Sequence, residues 1–254
     1  MLRVGLVGYS GRMGQLIAEC LGQESKFSLS CIFAHQISVT APQEVLTTSD
    51  WNEFLDHCDC VIDFSNHTGT FHLLQALLHS PKPSVIGTTG LQEEEKKLLV
   101  QVSSLAPVVY ATNTSQGIAL LNQLAFLVTQ KLPDADIEIS EFHHRQKKDS
   151  PSGTAMTLAE FCAEARGLNL ESVRVSGRDG NIGERKKEEI GVMSFRGGDI
   201  VGKHTVGFYC DGEYLELTHN ATSRNTFAKG AIRALKWVIA QENGLYSMQD
   251  VLKF

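Results

Sequence analysis

The chain has no long apolar run, no excess of positive charge and no paired-cysteine motif, and each absence removes a class of function. No stretch approaches the roughly 20 apolar residues needed to span a bilayer. There are 23 Lys and Arg against 29 Asp and Glu, a formal net charge of -6. So mild an acidic balance argues against nucleic acid or an anionic membrane as the main partner. The six cysteines, Cys20, Cys31, Cys58, Cys60, Cys162 and Cys210, form no CxxC pair. They are expected to be small buried hydrophobes in a reducing cytoplasm. Met1 to Val7 enters a strand pattern at once, without the basic, apolar and cleavable regions of a signal peptide. A cytoplasmic location is the expectation. Internal repeats and low-complexity segments are also missing. What remains is 254 residues with 42% apolar content, enough for one large domain or two modest ones.

The first half alternates strand and helix signals. Short apolar runs at 2–7, 27–34, 60–64, 84–86 and 108–111 read as strands. Helical spacing covers 12–21, 50–55, 71–79 and 92–105, with Ser49 as the expected cap of the second helix. This alternation implies a parallel sheet covered on both faces. The second half changes character. Helices are expected at 118–131 and 154–165, and strand-like stretches at 137–142, 173–176, 190–195, 204–209 and 214–217. Asp211-Gly212 is a hairpin signal. An antiparallel sheet is therefore expected, followed by a helix over 226–241 capped by Asn225.

Gly8-Tyr9-Ser10-Gly11-Arg12-Met13-Gly14 follows the first strand and opens the first helix. Glycines let the backbone turn tightly and approach a pyrophosphate, and the helix N-terminus offers unpaired N–H groups. The GxxGxxG spacing differs from the commoner GxGxxG and would also suit a tight turn in an unrelated α/β protein. Its place at the head of a βαβ pattern favours a dinucleotide. No carboxylate follows the second strand to hold the ribose hydroxyls of NAD; the residues there are Ala34 and His35. His35 either faces an adenosine 2′-phosphate, with Arg12 beside it, or is an ordinary loop residue. Gly87, Thr88 and Thr89, and Ala111, Thr112, Asn113 and Thr114, each follow a strand. Ligands of parallel sheets bind there, so both loops are placed on the nicotinamide side.

The most unusual stretch runs from Glu141 to Thr154, EFHHRQKKDSPSGT. Two histidines and three cations lie together at a strand end, and a turn then leads into a helix start. Such a segment suits a small dianion: cations supply charge, and the Gly153 and Thr154 N–H groups belong to a helix N-terminus. A bound dianion also favours protonated His and Lys, which keeps a proton available. Two other readings compete. As adjacent strand residues, His143 and His144 point to opposite faces and make a poor chelating pair, so no metal is expected. A solvated charged loop is the commoner fate of a basic run.

The segment His143 to Ala155 resembles the HHxxKxDxPSGTA signature of 4-hydroxy-tetrahydrodipicolinate reductases, formerly dihydrodipicolinate reductases, and Gly8 to Gly14 resembles their GxxGRMG loop. The blocks VIDFS at 61–65, GTTG at 87–90, NTSQG at 113–117, RDG at 178–180, GER at 183–185, GDIVGKH at 198–204 and HNATSR at 219–224 are similar to further family blocks, in order along the chain. The resemblance implies a Rossmann-type dinucleotide-binding domain at 1–114 with 225–254, and an α+β substrate-binding and oligomerisation domain with a mainly antiparallel sheet at 115–224. It implies reduction of a cyclic imine dicarboxylate to tetrahydrodipicolinate with NADPH or NADH, in lysine and diaminopimelate biosynthesis, by a homotetramer. Carried over, His143 and Lys147 transfer the proton, and His144, Gly153 and Thr154 bind the carboxylates. Gly8, Tyr9, Ser10, Gly11, Arg12, Met13, Ala34, His35, Gly87 to Thr89 and Ala111 to Thr114 bind cofactor. The chain departs from the family pattern at His67, where a proline is common. It departs again at Ala34-His35, where an acidic residue and arginine are common, and at Thr114, where phenylalanine is. A different amino-acid dehydrogenase and a non-catalytic dinucleotide sensor are the competing functions; the paired His143 and Lys147 count against both.

Overall fold

The computed structural model of the chain describes residues 1–34, 42 and 44–253; His35 lies outside the described residues. The chain divides into two compact units, Met1–Gln116 with Arg224–Phe254, and Gly117–Ser223.

The first unit opens with β1 (Leu2–Val7), α1 (Arg12–Gly22), β2 (Phe27–Phe33), β3 (Leu46–Thr48), α2 (Trp51–Asp56) and β4 (Cys60–Asp63). It continues through α3 (His67–His79), β5 (Ser84–Ile86), α4 (Glu93–Ser103) and β6 (Pro107–Tyr110). The cap of α2 is Asp50 rather than Ser49. One of its carboxylate oxygens accepts from the N–H groups of Asn52 and Glu53 at 2.8 and 2.9 Å, a pair of donors that the residue one position earlier does not reach. The α3 helix starts a turn earlier than its apolar spacing implies, because Asn66 caps it by accepting from the Gly69 N–H. His67 is then the first helical residue, where the N–H has no intrahelical partner and a proline fits equally well.

The second unit holds most of α5 (Gln116–Lys131), then β7 (Asp136–His143), α6 (Gly153–Ala165), α7 (Leu170–Val173) and β8 (Arg174–Val175). Strands β9 (Ile190–Arg196), β10 (Gly202–Cys210) and β11 (Glu213–Ala221) complete it. The chain returns to the first unit with α8 (Asn225–Val238), β12 (Gly244–Tyr246) and α9 (Met248–Leu252). Asn225 is the first residue of α8 and Arg224 stands at its N-cap, without a side-chain cap bond.

The first sheet is parallel throughout, in the order β12-β6-β5-β4-β1-β2-β3. This is a Rossmann-type doubly wound arrangement. Successive strands run outward from β1 in one direction to β3, and the chain then crosses to β4 and runs the other way. The crevice at the carboxyl ends of β1 and β4 is the topological switch point, where such sheets bind ligands. Covered on both faces, β1 and β4 read as continuous apolar runs, with Val4, Leu6, Cys60, Val61 and Ile62 all fully buried.

The second sheet, β11-β10-β7-β9-β8, has the expected antiparallel pairing over most of its length, with parallel pairing at one side. β10 runs antiparallel to both β7 and β11, but β7 and β8 pair with β9 in parallel. The parallel β7–β9 pair needs a crossover, and α6 lies on that connection. One face packs on α5 and α6 through Ile137, Ile139, Val192, Val206 and Phe208.

All six cysteines are free, and Cys31, Cys58, Cys60 and Cys162 are buried. Burial pushes the Cys60 thiol up to about 12 and the Cys162 thiol up to about 11, so both behave as small apolar groups. Among the described residues no helix is long and apolar enough to cross a membrane.

The α8 helix approaches the loop after β6 so closely that a Cβ on Gly230 would lie 1.8 Å from the Thr114 carbonyl oxygen. Gly22, at the end of α1, has nothing within 4 Å. Gly230→Ala is expected to destabilise by about 1–3 kcal/mol, as overpacking does. Gly22→Ala should be neutral or slightly stabilising. Thermal unfolding of the two variants side by side checks this; equal melting temperatures would contradict it.

Candidate functional site

In the first unit the glycine loop sits at the carboxyl end of β1, and each glycine has its own reason. Gly8 has φ +87, and a Cβ there would meet the Phe64 carbonyl oxygen at 2.5 Å. Gly14 lets α1 lie against the loop, since a Cβ would come within 2.2 Å of the Gly8 carbonyl oxygen. Gly11 is the N-cap of α1 and supplies no side-chain cap. The first turn, Arg12-Met13-Gly14, has no acidic residue. The helix therefore presents uncapped N–H groups and its positive dipole end, the arrangement that takes a phosphate. Arg224 lies near Arg12; burial and then the Arg12 charge lower its pKa from the ordinary guanidinium value. Two cations at one helix start, with a cradle that only glycine backbone permits, fit a dinucleotide pyrophosphate.

The other loops converge at the same edge. Ala34 follows β2 and donates its N–H to the Thr48 carbonyl. Asp63, at the end of β4, is fully buried. Its carboxylate accepts from the Ser65 N–H and hydroxyl at 2.9 and 2.6 Å and from the Thr70 hydroxyl at 2.5 Å. Burial raises its pKa despite these bonds. Gly87 donates to the Asp63 carbonyl and leaves room for the Phe64 ring, which a Cβ would meet at 2.3 Å. Thr88 is buried and Thr89 exposed. Ala111 donates to Ile86; Thr112 is exposed, and Asn113 accepts from the Ser115 N–H. Thr114 is 1% exposed and its hydroxyl donates to the Phe227 carbonyl. Its side chain thus ties the loop to α8, leaving its backbone to line the edge.

In the second unit β7 carries the core directly into a polar site. Its burial alternates along Asp136–His143, so Ile137, Ile139, Glu141 and His143 share the inner face. The first two pack in the core; the last two begin the site. His143 is 9% exposed and its Nδ1 lies 2.5 Å from a Glu141 oxygen. Arg196 donates to both Glu141 oxygens, at 2.9 and 2.8 Å, and the Ser152 N–H donates to one of them at 3.0 Å. Burial of Glu141 opposes its charge, but the hydrogen bonds from His143 and Arg196 outweigh it and hold the carboxyl far below the usual range.

The turn after β7 brings in the remaining residues. His144 and Arg145 donate their N–H groups to Ile200 and Gly198. Of the three cations only Lys147 is drawn inward: its ammonium bonds Asp149 at 2.9 Å, while Arg145 and Lys148 are exposed. Ser152 caps α6 by accepting from the Ala155 N–H, and its hydroxyl lies 3.2 Å from His204 Nε2. Gly153 and Thr154 are the first two residues of α6. The structure thus brings His143, Lys147, Gly153 and Thr154 onto one short segment. Sequence reasoning missed Glu141, Arg196, Ser152 and His204 as parts of the site. Glu141 carried a usable signal, since it stands two residues before His143 and so on the same strand face. Arg196 carried none, and His204 only its place at the end of the GDIVGKH block, because sheet pairing is what brings β9 and β10 alongside β7.

A phosphate-binding glycine turn on a doubly wound sheet, with a buried histidine, a lysine and a helix N-terminus on a second α/β unit, defines a nicotinamide-dependent oxidoreductase. The family descriptions "Dihydrodipicolinate reductase, N-terminus" and "Dihydrodipicolinate reductase, C-terminus" match residues 2–114 and 117–252. The chain belongs to this family. It is 56% identical over 254 residues to the 4-hydroxy-tetrahydrodipicolinate reductase of Wolinella succinogenes, with 99% of each chain covered. It is 53% identical to that of Helicobacter hepaticus, with 100% of each covered. Among solved structures, a dipicolinate-bound dihydrodipicolinate reductase from Paenisporosarcina sp. TG-14 shares the fold, with a TM-score of 0.80 at 24% identity and 98% of each chain covered.

His204 is 3% exposed. Burial, reinforced by the neighbouring His143, pushes its pKa down to about 3 against an ordinary 6.5. Between those values the unfolded chain binds a proton that the folded chain does not, so stability present above pH 6.5 is lost as pH falls. His204 is expected to steepen that loss by up to about 1.4 kcal/mol per pH unit. Denaturant unfolding at several pH values, for the native chain and His204→Phe, measures it; equal slopes would remove His204 as the cause.

Proposed function

We propose that His143 and Lys147 transfer the proton in this family's reaction, the reduction of 4-hydroxy-tetrahydrodipicolinate to tetrahydrodipicolinate, and that His144, Gly153 and Thr154 hold the substrate carboxylates. The observation that carries the reading is the burial of His143 two residues from Glu141, on the segment that turns through Lys147 into the N-terminus of α6. His143 has one ring nitrogen engaged by a carboxylate, and the other is the one to face substrate. Lys147, drawn inward but solvent-touched, brings a cation and three donors. Gly153 and Thr154 supply the first two N–H groups of α6, which favour a carboxylate without depending on side-chain placement. The structural relative from Paenisporosarcina binds dipicolinate, a planar dicarboxylate, which supports a dianion at this segment.

The first unit is the dinucleotide-binding domain and the second the substrate-binding domain. When bound, the nicotinamide supplies the hydride. Gly8 to Met13 hold the pyrophosphate, with Ala34, Gly87 to Thr89 and Ala111 to Thr114 along the same sheet edge. NADPH is accepted at least as well as NADH, since the chain places Arg12 and Arg224 together and has Ala34 where a carboxylate would repel a 2′-phosphate. A cytoplasmic location fits the six free thiols.

His143→Ala and Lys147→Ala are each expected to lower kcat by roughly 10²–10⁴, the worth of general acid help, with cofactor affinity near native. Absorbance of NADPH and NADH with freshly generated substrate measures both the loss and the cofactor preference. Near-native kcat in both variants would remove them from proton transfer, and a kcat/KM strongly favouring NADH would overturn the cofactor assignment.

The assembly is a homotetramer built through the outer face of the second sheet. That face carries an aromatic pair at each end: Phe142 and Phe195 stack at 4.4 Å with Lys203 over Phe142, and Tyr209 stacks on Tyr214. Phe195 is 46% and Tyr214 68% exposed. Exposed aromatic pairs on a sheet face mark an interaction surface, and β11 adds a nine-residue strand at the sheet edge. Sedimentation at micromolar concentration is expected to show a tetramer, and Tyr214→Asp to weaken it. A monomer in the native chain would contradict the assignment.

A further inference from the structure

We propose that Glu141 is the positioning residue of the proton-transfer site, holding the His143 ring by Nδ1 and tying it to the start of α6 through the Ser152 N–H. This rests on the assignment of His143 to proton transfer.

The geometry allows Glu141 few other roles. Its side chain is fully buried, so it does not touch a ligand in solvent. One oxygen serves His143 Nδ1 and an Arg196 N–H; the other serves the Ser152 N–H and a second Arg196 N–H. Four donors on two oxygens leave the carboxylate no rotational freedom. A carboxylate accepts only, so the Nδ1 facing it carries the hydrogen. In the neutral ring Nε2 is then the basic nitrogen, and in the cation Nε2–H is the proton that faces away from Glu141. That nitrogen points toward Gly202, where a Cβ would approach it to 3.1 Å. The absence of a side chain there keeps the Nε2 side open.

The same carboxylate reaches eleven residues onward. Ser152 is both the donor to Glu141 and the cap of α6, and its hydroxyl also meets His204. Glu141 therefore sets two things at once: which nitrogen of His143 is presented, and where the α6 N-terminus stands relative to that nitrogen. Arg196 balances the charge from β9, paired one strand away. A buried carboxylate without such a partner would take up a proton and stop accepting.

The variant Glu141→Gln keeps the shape but turns one oxygen into a donor, so only one of His143 and Ser152 retains its acceptor. Glu141→Asp keeps the charge for Arg196 but shortens the reach to His143, and serves if the glutamine variant folds poorly. Three readouts are taken on the full-length protein: kcat, NADPH affinity by fluorescence, and the nitrogen chemical shifts of the His143 ring, assigned by the signal missing in His143→Gln. The native ring is expected to show Nδ1–H. Each Glu141 variant is expected to lose that signature and lower kcat by about tenfold or more, while NADPH affinity is unchanged. A merely structural role would not select between the ring nitrogens. Native-like kcat with a native-like His143 signature in both variants would overturn the proposal, as would a fall in kcat with the signature intact. His143→Ala separates the two claims: if it keeps its kcat, the proton-transfer assignment itself fails; if it loses kcat while the Glu141 variants do not, only the positioning role does.

Discussion

A single buried carboxylate organises the second unit. Glu141 gathers a histidine from its own strand, an arginine from β9 and a backbone N–H from the turn before α6. Charge burial on this scale is tolerated only because every lone-pair direction is met. Removing one partner of such a buried pair typically costs about 3–5 kcal/mol, so the cluster is a structural joint as well as a chemical one. It joins the apolar core of β7, ending at Ile139, to the polar segment that starts at His143.

The first unit solves a different problem with almost no side chains. Its ligand edge is made of strand ends, glycines and helix starts. Gly8, Gly14 and Gly87 each leave room for a neighbouring backbone or ring. Asp63 is the counterpart of Glu141 there: a buried carboxylate that binds the Ser65 loop to Thr70 of α3. Both units thus place a buried acid at the end of a core strand, where irregular backbone begins and donors need acceptors.

The mixed second sheet has the same logic. β7 lies between an antiparallel and a parallel neighbour. Its inner face meets Ser194 of β9 and His204 of β10 in register with Glu141. One strand therefore collects polar groups from both sides at one level, which a two-stranded hairpin cannot do.

Local patterns in the chain were enough for the β-α alternation of the first unit, the glycine turn, the basic segment from His143 to Lys147 and the helix start at Gly153. They are local features, readable from spacing and residue type over a few positions. The order of motifs along the chain also led to the family. Local pattern was insufficient elsewhere. The parallel pairing of β9 with β7 was not visible, because an apolar-polar alternation is the same in either direction. Short strands such as Leu46–Thr48 and Gly244–Tyr246 gain their stability from pairing and carry no period of their own. Asp50 rather than Ser49 capped α2, a difference of one residue that only backbone geometry decides. Arg196 and His204 lie 55 and 63 residues beyond Glu141 in the chain, yet hydrogen bonds and strand register set them around it. Long-range register is a tertiary property: it follows from burying whole faces together, and no window of the sequence contains it.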